Sequence, residues 1–309
     1  MNTLALHHLV AAVLIATLHH AVVAVAAVPV PPTHANVAYG PHERNVLDFY
    51  QASGTGPRPL VVSIHGGGWT QGEKPAELGR GGVFLAKGIS YAAINYRLST
   101  QAPLPAPVRD AARAIQFLRS KATDWNIDKG RIGLTGGSAG ACSSMWILLH
   151  DDLADPNAED PVLRESTRVT AAAVVNGQTS IEPKVIEQWL GPAILKHRMI
   201  WSSVGAASMA EVLGHYERYA PLYAEFSPIR HLTRDDPPLL MTYGHPMALP
   251  PANANHAIHH PVFGLKMKEE ADRLGLECHL IVQDDRKLSA YESAETFLID
   301  KLLKASTPP

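Results

Sequence analysis

The sequence predicts an α/β fold, with a mostly parallel eight-stranded sheet, helices on both faces and a helical cap inserted in its second half. Three observations carry the prediction. Short apolar runs (Leu60–Ile64, Ile89–Tyr96, Thr170–Asn176, Pro238–Gly244) alternate with stretches of helical periodicity, the pattern of buried strands covered from both sides. A glycine run, His65-Gly66-Gly67-Gly68-Trp69, directly follows the first of those strands. A second glycine-rich segment, Gly136-Gly137-Ser138-Ala139-Gly140, lies between the apolar Arg131–Leu134 and a helical stretch from Ala139 to His150.

Taken in order, residues 1–27 read as a secretory signal peptide. The run from Leu9 onward is apolar and rich in Ala and Val, and Ala24-Val25-Ala26 or Val25-Ala26-Ala27 offers a small-x-small cleavage site. Met1 to His8 contain no Lys or Arg, so an uncleaved anchor is the competing reading. Residues 28–35, with Pro29, Pro31 and Pro32, form an extended linker. Residues 36–305 then make one domain, within the size a single core can fill. Asn36–Tyr39 and Asn45–Tyr50 suggest two antiparallel opening strands. Glu77–Lys87 reads as a helix closed by Gly88. Val108, Ala111, Ala112, Ile115 and Leu118 stripe a helix that Pro107 opens. Asp110 on it is read as an acid answering the helix dipole. Asp151–Arg168 is polar surface. Residues 177–227 form the helical insertion, where Trp189, Trp201, Tyr216, Tyr219 and Tyr223 are read mainly as packing. The seventh strand ends at Gly244, and a long loop runs to His260. Pro261–Leu274 is a helix closed by Gly275, Glu277–Val282 the eighth strand, and Ala290–Leu303 the last helix.

Hydrophobic residues make up 46% and charged residues 18%, with a net charge of −2, so nothing electrostatic argues for nucleic acid or an anionic membrane. After removal of the leader no stable membrane insertion is expected. Of the two cysteines, Cys142 sits one helical turn past Ser138 and reads as buried packing; a pairing with Cys278 stays open.

Ser138 in Gly-x-Ser-x-Gly, at a strand-to-helix turn, has the setting of an exposed nucleophile on a strained turn. Side chains at positions 136 and 140 would collide with neighbouring chain. The glycine run 73 residues upstream offers bare N–H groups to a developing oxyanion, joined by the N–H of Ala139. On these two motifs the chain resembles an α/β-hydrolase carboxylesterase or lipase with an HGGG oxyanion motif. That group includes hormone-sensitive-lipase-like and bacterial feruloyl- or acetyl-esterase-like enzymes. The resemblance covers residues 40–305 and implies hydrolysis of small carboxylic esters through an acyl-serine on Ser138. It further implies an oxyanion hole of Gly67, Gly68 and Ala139, His65 as a brace of its loop, and no cofactor.

The family's pattern puts an acid after the seventh strand and a histidine after the eighth. Here the first place reads Tyr243-Gly244-His245-Pro246-Met247 and the second Gln283-Asp284-Asp285-Arg286, so the acid and histidine are missing from their usual places. Two readings follow. In one the loops exchange roles, with His259 or His260 as base and Asp284 or Asp285 as orienting acid. Those histidines precede the helix opened by Pro261, whose positive end keeps imidazole neutral. In the other, hydrolysis is lost and the pocket only binds. His256, His259 and His260 have i, i+3, i+4 spacing, but Pro261 disfavours helix at His260 and no partner motif accompanies them, so no metal is expected.

Overall fold

The computed structural model describes residues 30–74, 78–283 and 289–304. The predicted leader (1–27) and the candidate acids Asp284 and Asp285 lie outside them. Strand β1 (His34–Ala38) pairs antiparallel with β2 (Val46–Tyr50). After β3 (Arg58–Ile64) come helix α1 (Leu78–Leu85), β4 (Ser90–Ile94), α2 (Ala106–Ser120), β5 (Ile127–Gly137), α3 (Ala139–Leu149) and β6 (Ala171–Val175). The insertion contains α4 (Pro183–Leu190), α5 (Met199–Ser202), α6 (Met209–Gly214) and α7 (Tyr216–Glu225). The chain closes with β7 (Leu239–Tyr243), α8 (Ala254–Ile258), α9 (Val262–Leu274), β8 (Cys278–Val282) and α10 (Ala294–Lys304).

The sheet order is β1-β2-β4-β3-β5-β6-β7-β8, antiparallel at β1/β2 and β2/β4 and parallel from β4 onward. Side chains alternate across it with period two. Leu60, Val62 and Ile64 of β3 face a large core shared with α2, α3, α9 and the insertion, while Val61 faces a smaller core with Phe84 of α1 and Phe297, Leu298 and Leu302 of α10. Both faces are thus sealed, and the loops at the carboxyl ends of the parallel strands are left to carry chemistry.

Three details correct the sequence reading. The strand before Ser138 is 11 residues long rather than a short run, because Ile127 already pairs with Arg58 before the ladder re-registers at Leu60 and Ile132. Asp110 is structural, but for another reason than the helix dipole. It lies beyond the first turn of α2, buried, and its carboxylate accepts from the Arg97 backbone N–H at 3.0 Å and from the guanidinium at 2.8 and 2.6 Å. Helix α10 starts at Ala294, four residues later than expected. The aromatics of the insertion do pack: Tyr219 and Tyr223 are buried, and the Tyr223 hydroxyl donates to the Ile200 carbonyl at 2.7 Å. Cys142 and Cys278 are both buried and unpaired. No helix among the described residues is long and apolar enough to cross a membrane.

Candidate active site

Ser138 stands between β5 and α3 with φ +51° and ψ −120°, a conformation costing a non-glycine residue about 1–3 kcal/mol. Its N–H donates to the Val175 carbonyl at 2.9 Å, and its own carbonyl accepts from Cys142 N–H at 2.9 Å. The glycines around it are required by contact. A Cβ on Gly136 would lie 2.7 Å from the Ile64 carbonyl oxygen. One on Gly140 would overlap that same oxygen and lie 2.6 Å from the His65 carbonyl oxygen. One on Gly66 would lie 2.7 Å from the Gly137 carbonyl oxygen. The ends of β3 and β5 therefore touch backbone to backbone, which brings the glycine run against the serine.

The run itself turns sharply, with φ of +98° at Gly67, +61° at Gly68 and +59° at Trp69. The Gly67 carbonyl accepts from Thr70 and Gln71 N–H at 3.0 and 3.2 Å, closing the turn. The Trp69 side chain is buried and its indole N–H donates to Ser143 Oγ at 3.0 Å, tying the loop to α3. His65 braces the loop from beneath. Its ring stacks on Tyr96 at 4.2 Å, its Nδ1 bonds the Gly66 carbonyl at 2.8 Å, and Tyr96 Oη donates to its carbonyl at 2.8 Å. Burial pushes the His65 imidazole down to about 4, so it is a neutral support. From the insertion, Met199 lies over Gly68.

The histidine side of the site comes from the segment after β7. His259 Nε2 lies 2.9 Å from Ser138 Oγ, and its Nδ1 lies 3.0 Å from the Asn255 carbonyl oxygen. A carbonyl only accepts, so Nδ1 carries the proton and Nε2 presents a lone pair to the serine hydroxyl. Of the two histidines the sequence left open, His259 meets Ser138. His260 is fully buried elsewhere: its Nδ1 accepts from Val262 N–H at 3.0 Å and its Nε2–H donates to the Ala248 carbonyl at 3.2 Å. His256 does similar work, accepting from Ala252 N–H at 3.1 Å and donating to the Pro246 carbonyl at 2.8 Å. Among the described residues no group of three or more His, Cys, Asp or Glu is placed to hold a metal ion.

The His259 imidazole is pushed down to about 4. Burial is the largest cause, and neighbouring His245 and His197 push the same way, while the bond to Asn255 opposes them. Burial thus does what the sequence reading assigned to the start of α9. Among the described residues no Asp or Glu bonds to His259, and the orienting partner is a main-chain carbonyl. Sequence reasoning missed that partner because a backbone oxygen has no residue-type signature. The one available signal was Asn253, whose side chain accepts from His256 N–H at 2.9 Å and starts the short helix α8.

Comparison with known proteins agrees with this architecture. The BD-FAE family model matches residues 47–259, a span that runs from β2 through Ser138 to His259. "Probable carboxylic ester hydrolase LipM" of Mycobacterium tuberculosis is 28% identical over 70% of this chain and 48% of its own length. The esterase LipQ of the same organism is 27% identical over 72% of this chain and 51% of its own length. This chain therefore spans about half the length of these curated relatives. Among solved structures, a truncated carbohydrate esterase from gut microbiota superposes with a TM-score of 0.65, at 20% identity, over 88% of this chain and 96% of that one, a likeness of fold. The fold is that of the α/β-hydrolases, and with the model matched across more than half its length, the chain belongs to the BD-FAE family.

Proposed function

We propose that this protein hydrolyses carboxylic esters through an acyl-serine intermediate, with Ser138 as nucleophile and His259 as general base. The observation that carries the reading is the 2.9 Å approach of His259 Nε2 to Ser138 Oγ at a strained strand-to-helix turn. The relatives' printed activities support the ester class.

The approach of His259 to Ser138 supports a course in two halves, acylation and deacylation. Ser138 Oγ attacks the ester carbonyl carbon while His259 Nε2 takes the hydroxyl proton. The carbonyl oxygen becomes an oxyanion, received by the N–H groups of Gly67, Gly68 and Ala139. Collapse breaks the bond to the alcohol oxygen, which leaves with the proton from His259. Water then attacks the acyl-serine, giving its proton to His259; the carboxylic acid departs and Ser138 regains its hydrogen. The Asn255 carbonyl fixes the ring's tautomer but brings no full charge to stabilise the imidazolium.

Hydrolysis of a short-chain nitrophenyl ester by the purified protein, beside Ser138→Ala and His259→Gln, tests the reading. Activity abolished in Ser138→Ala and cut by about 10³-fold or more in His259→Gln is expected. Hydrolysis that survives the serine change would sink it. A protein that binds esters but shows no turnover above the serine variant would be a binding protein on this fold.

A further inference from the structure

Gln178, just past β6, is wholly buried. Its Nε2 donates to the Ile258 carbonyl at 2.7 Å and to the Asn176 carbonyl at 3.2 Å. Both partners are acceptors, so the amide must turn its NH2 toward them, and among the described residues Oε1 has no hydrogen-bond partner. An apolar side chain of similar size would fill the same space without stranding an acceptor. What sets glutamine apart from such a residue here is its grip on the carbonyl one residue before His259.

The surrounding segment holds the rest of the site to the same frame. The Val175 carbonyl accepts from Ser138 N–H at 2.9 Å. Asn176, at φ +51°, accepts from Gly244 N–H at 3.0 Å through Oδ1, at the exit of β7. The Gly177 carbonyl accepts from the Tyr243 hydroxyl at 2.6 Å, and Thr179 Oγ1 donates to the Phe263 carbonyl in α9 at 2.9 Å. The nucleophile turn, β7, α8 and α9 are thus all tied to residues 175–179.

We propose that Gln178 is a positioning residue for His259, fixing through the Ile258 carbonyl the turn that presents the imidazole to Ser138. The proposal rests on His259 acting as the base. Helix α8 has five residues, too few to hold itself, and it contains both Asn255, which orients the ring, and Ile258, which Gln178 grips. Among the described residues, the titratable rings facing His259 are His245, stacked at 5.6 Å, and His197, edge-on at 6.4 Å. Neither hydrogen-bonds it. A loosened turn would therefore let the ring swing from the serine and take on water.

The test compares wild type with Gln178→Met and, as a milder change, Gln178→Asn, which keeps the amide one methylene short of reach. Three quantities are read: kcat and KM on the nitrophenyl ester, the thermal midpoint, and the titration of His259 by NMR, assigned through its loss in His259→Gln. In Gln178→Met, kcat falls by about 10²-fold with KM little changed. The thermal midpoint falls modestly, because methionine leaves the Ile258 and Asn176 carbonyls without their donor while no longer stranding Oε1, and the His259 titration rises from about 4 toward the ordinary 6.5 as the ring is hydrated. Gln178→Asn shifts both in the same direction. A folded variant with wild-type kcat and an unmoved His259 titration overturns the proposal. The NMR titration needs no turnover, so absence of ester hydrolysis in wild type would strike the proposed activity while leaving the positioning role to be read separately.

Discussion

The two halves of the site are held in different ways. The half around Ser138, the proposed nucleophile, is fixed by steric contact: Gly66, Gly136 and Gly140 bring backbone against backbone, and no larger residue fits. The half around His259, the proposed base half, is fixed by hydrogen bonds to main-chain carbonyls, from His256, His259, His260 and Gln178 to Pro246, Asn255, Ala248 and Ile258. The first kind of support constrains residue type tightly. The second leaves the acceptor's residue type free, and only the donor is marked. The halves should therefore respond differently to substitution.

The largest effect belongs to the steric half. Gly140→Ala places a Cβ against the Ile64 and His65 carbonyls, and no rotamer relieves a backbone overlap. The expected loss is about 4 kcal/mol or more, enough to abolish folded protein, read from urea denaturation. A well-folded alanine variant would mean that the start of α3 can move away from the end of β3.

The next test separates the neighbouring histidines. His259→Gln should cut kcat/KM by about 10³–10⁴-fold with little change in stability. His260→Gln should do the reverse, keeping most turnover while costing about 1–3 kcal/mol, because buried His260 makes two hydrogen bonds that a glutamine cannot both reproduce. Turnover and denaturation measured on both variants check the division. If His260→Gln is the inactive one, the assignment of the base is wrong.

This division matches what could be read from the sequence. The eight strands, the covering helices, the insertion and the Ser138 turn were legible because apolar periodicity and glycines at crowded positions are residue-type signals. The family's acid and histidine places read as empty, and the exchange of loops narrowed the base to His259 or His260. Choosing between them needed three dimensions. The adjacent histidines point to opposite surroundings, one toward Ser138 and one into the core, and single-residue alternation of that kind has no signature in an irregular loop. The length of β5 and the grip of Arg97 on Asp110 escaped for a related reason, since both depend on partners distant in the chain.

The pH dependence probes the burial of the base half. The neutral, productive imidazole persists down to about pH 4, since burial depresses His259. At pH 5 the enzyme should keep most of its neutral-pH kcat/KM, where a histidine titrating at 6.5 would have lost about 30-fold. Stability should run the other way. His259 and His65 both titrate near 4 when folded and near 6.5 when unfolded, so the unfolded state takes up protons first. Both groups therefore erode stability as pH falls from 6.5 toward 4. An acid limb near 6.5 would show that the base is hydrated.

Two changes in α8 give the smallest effects and separate a side chain's role from its backbone's. Asn253→Ala removes the side-chain acceptor for His256 N–H and should cost about 1 kcal/mol, seen in the denaturation midpoint. Asn255→Ala should do almost nothing. The Asn255 side chain is exposed, and the oxygen that receives His259 Nδ1–H belongs to its main chain, which alanine retains. Alanine also favours helix slightly more than asparagine, so the turn should not loosen. Turnover within about twofold of wild type and an unmoved His259 titration are expected, for a residue whose carbonyl touches the base. A tenfold loss would mean that the asparagine amide, not the carbonyl, orients the ring during turnover. The base half would then depend on residue type as tightly as the glycine half does.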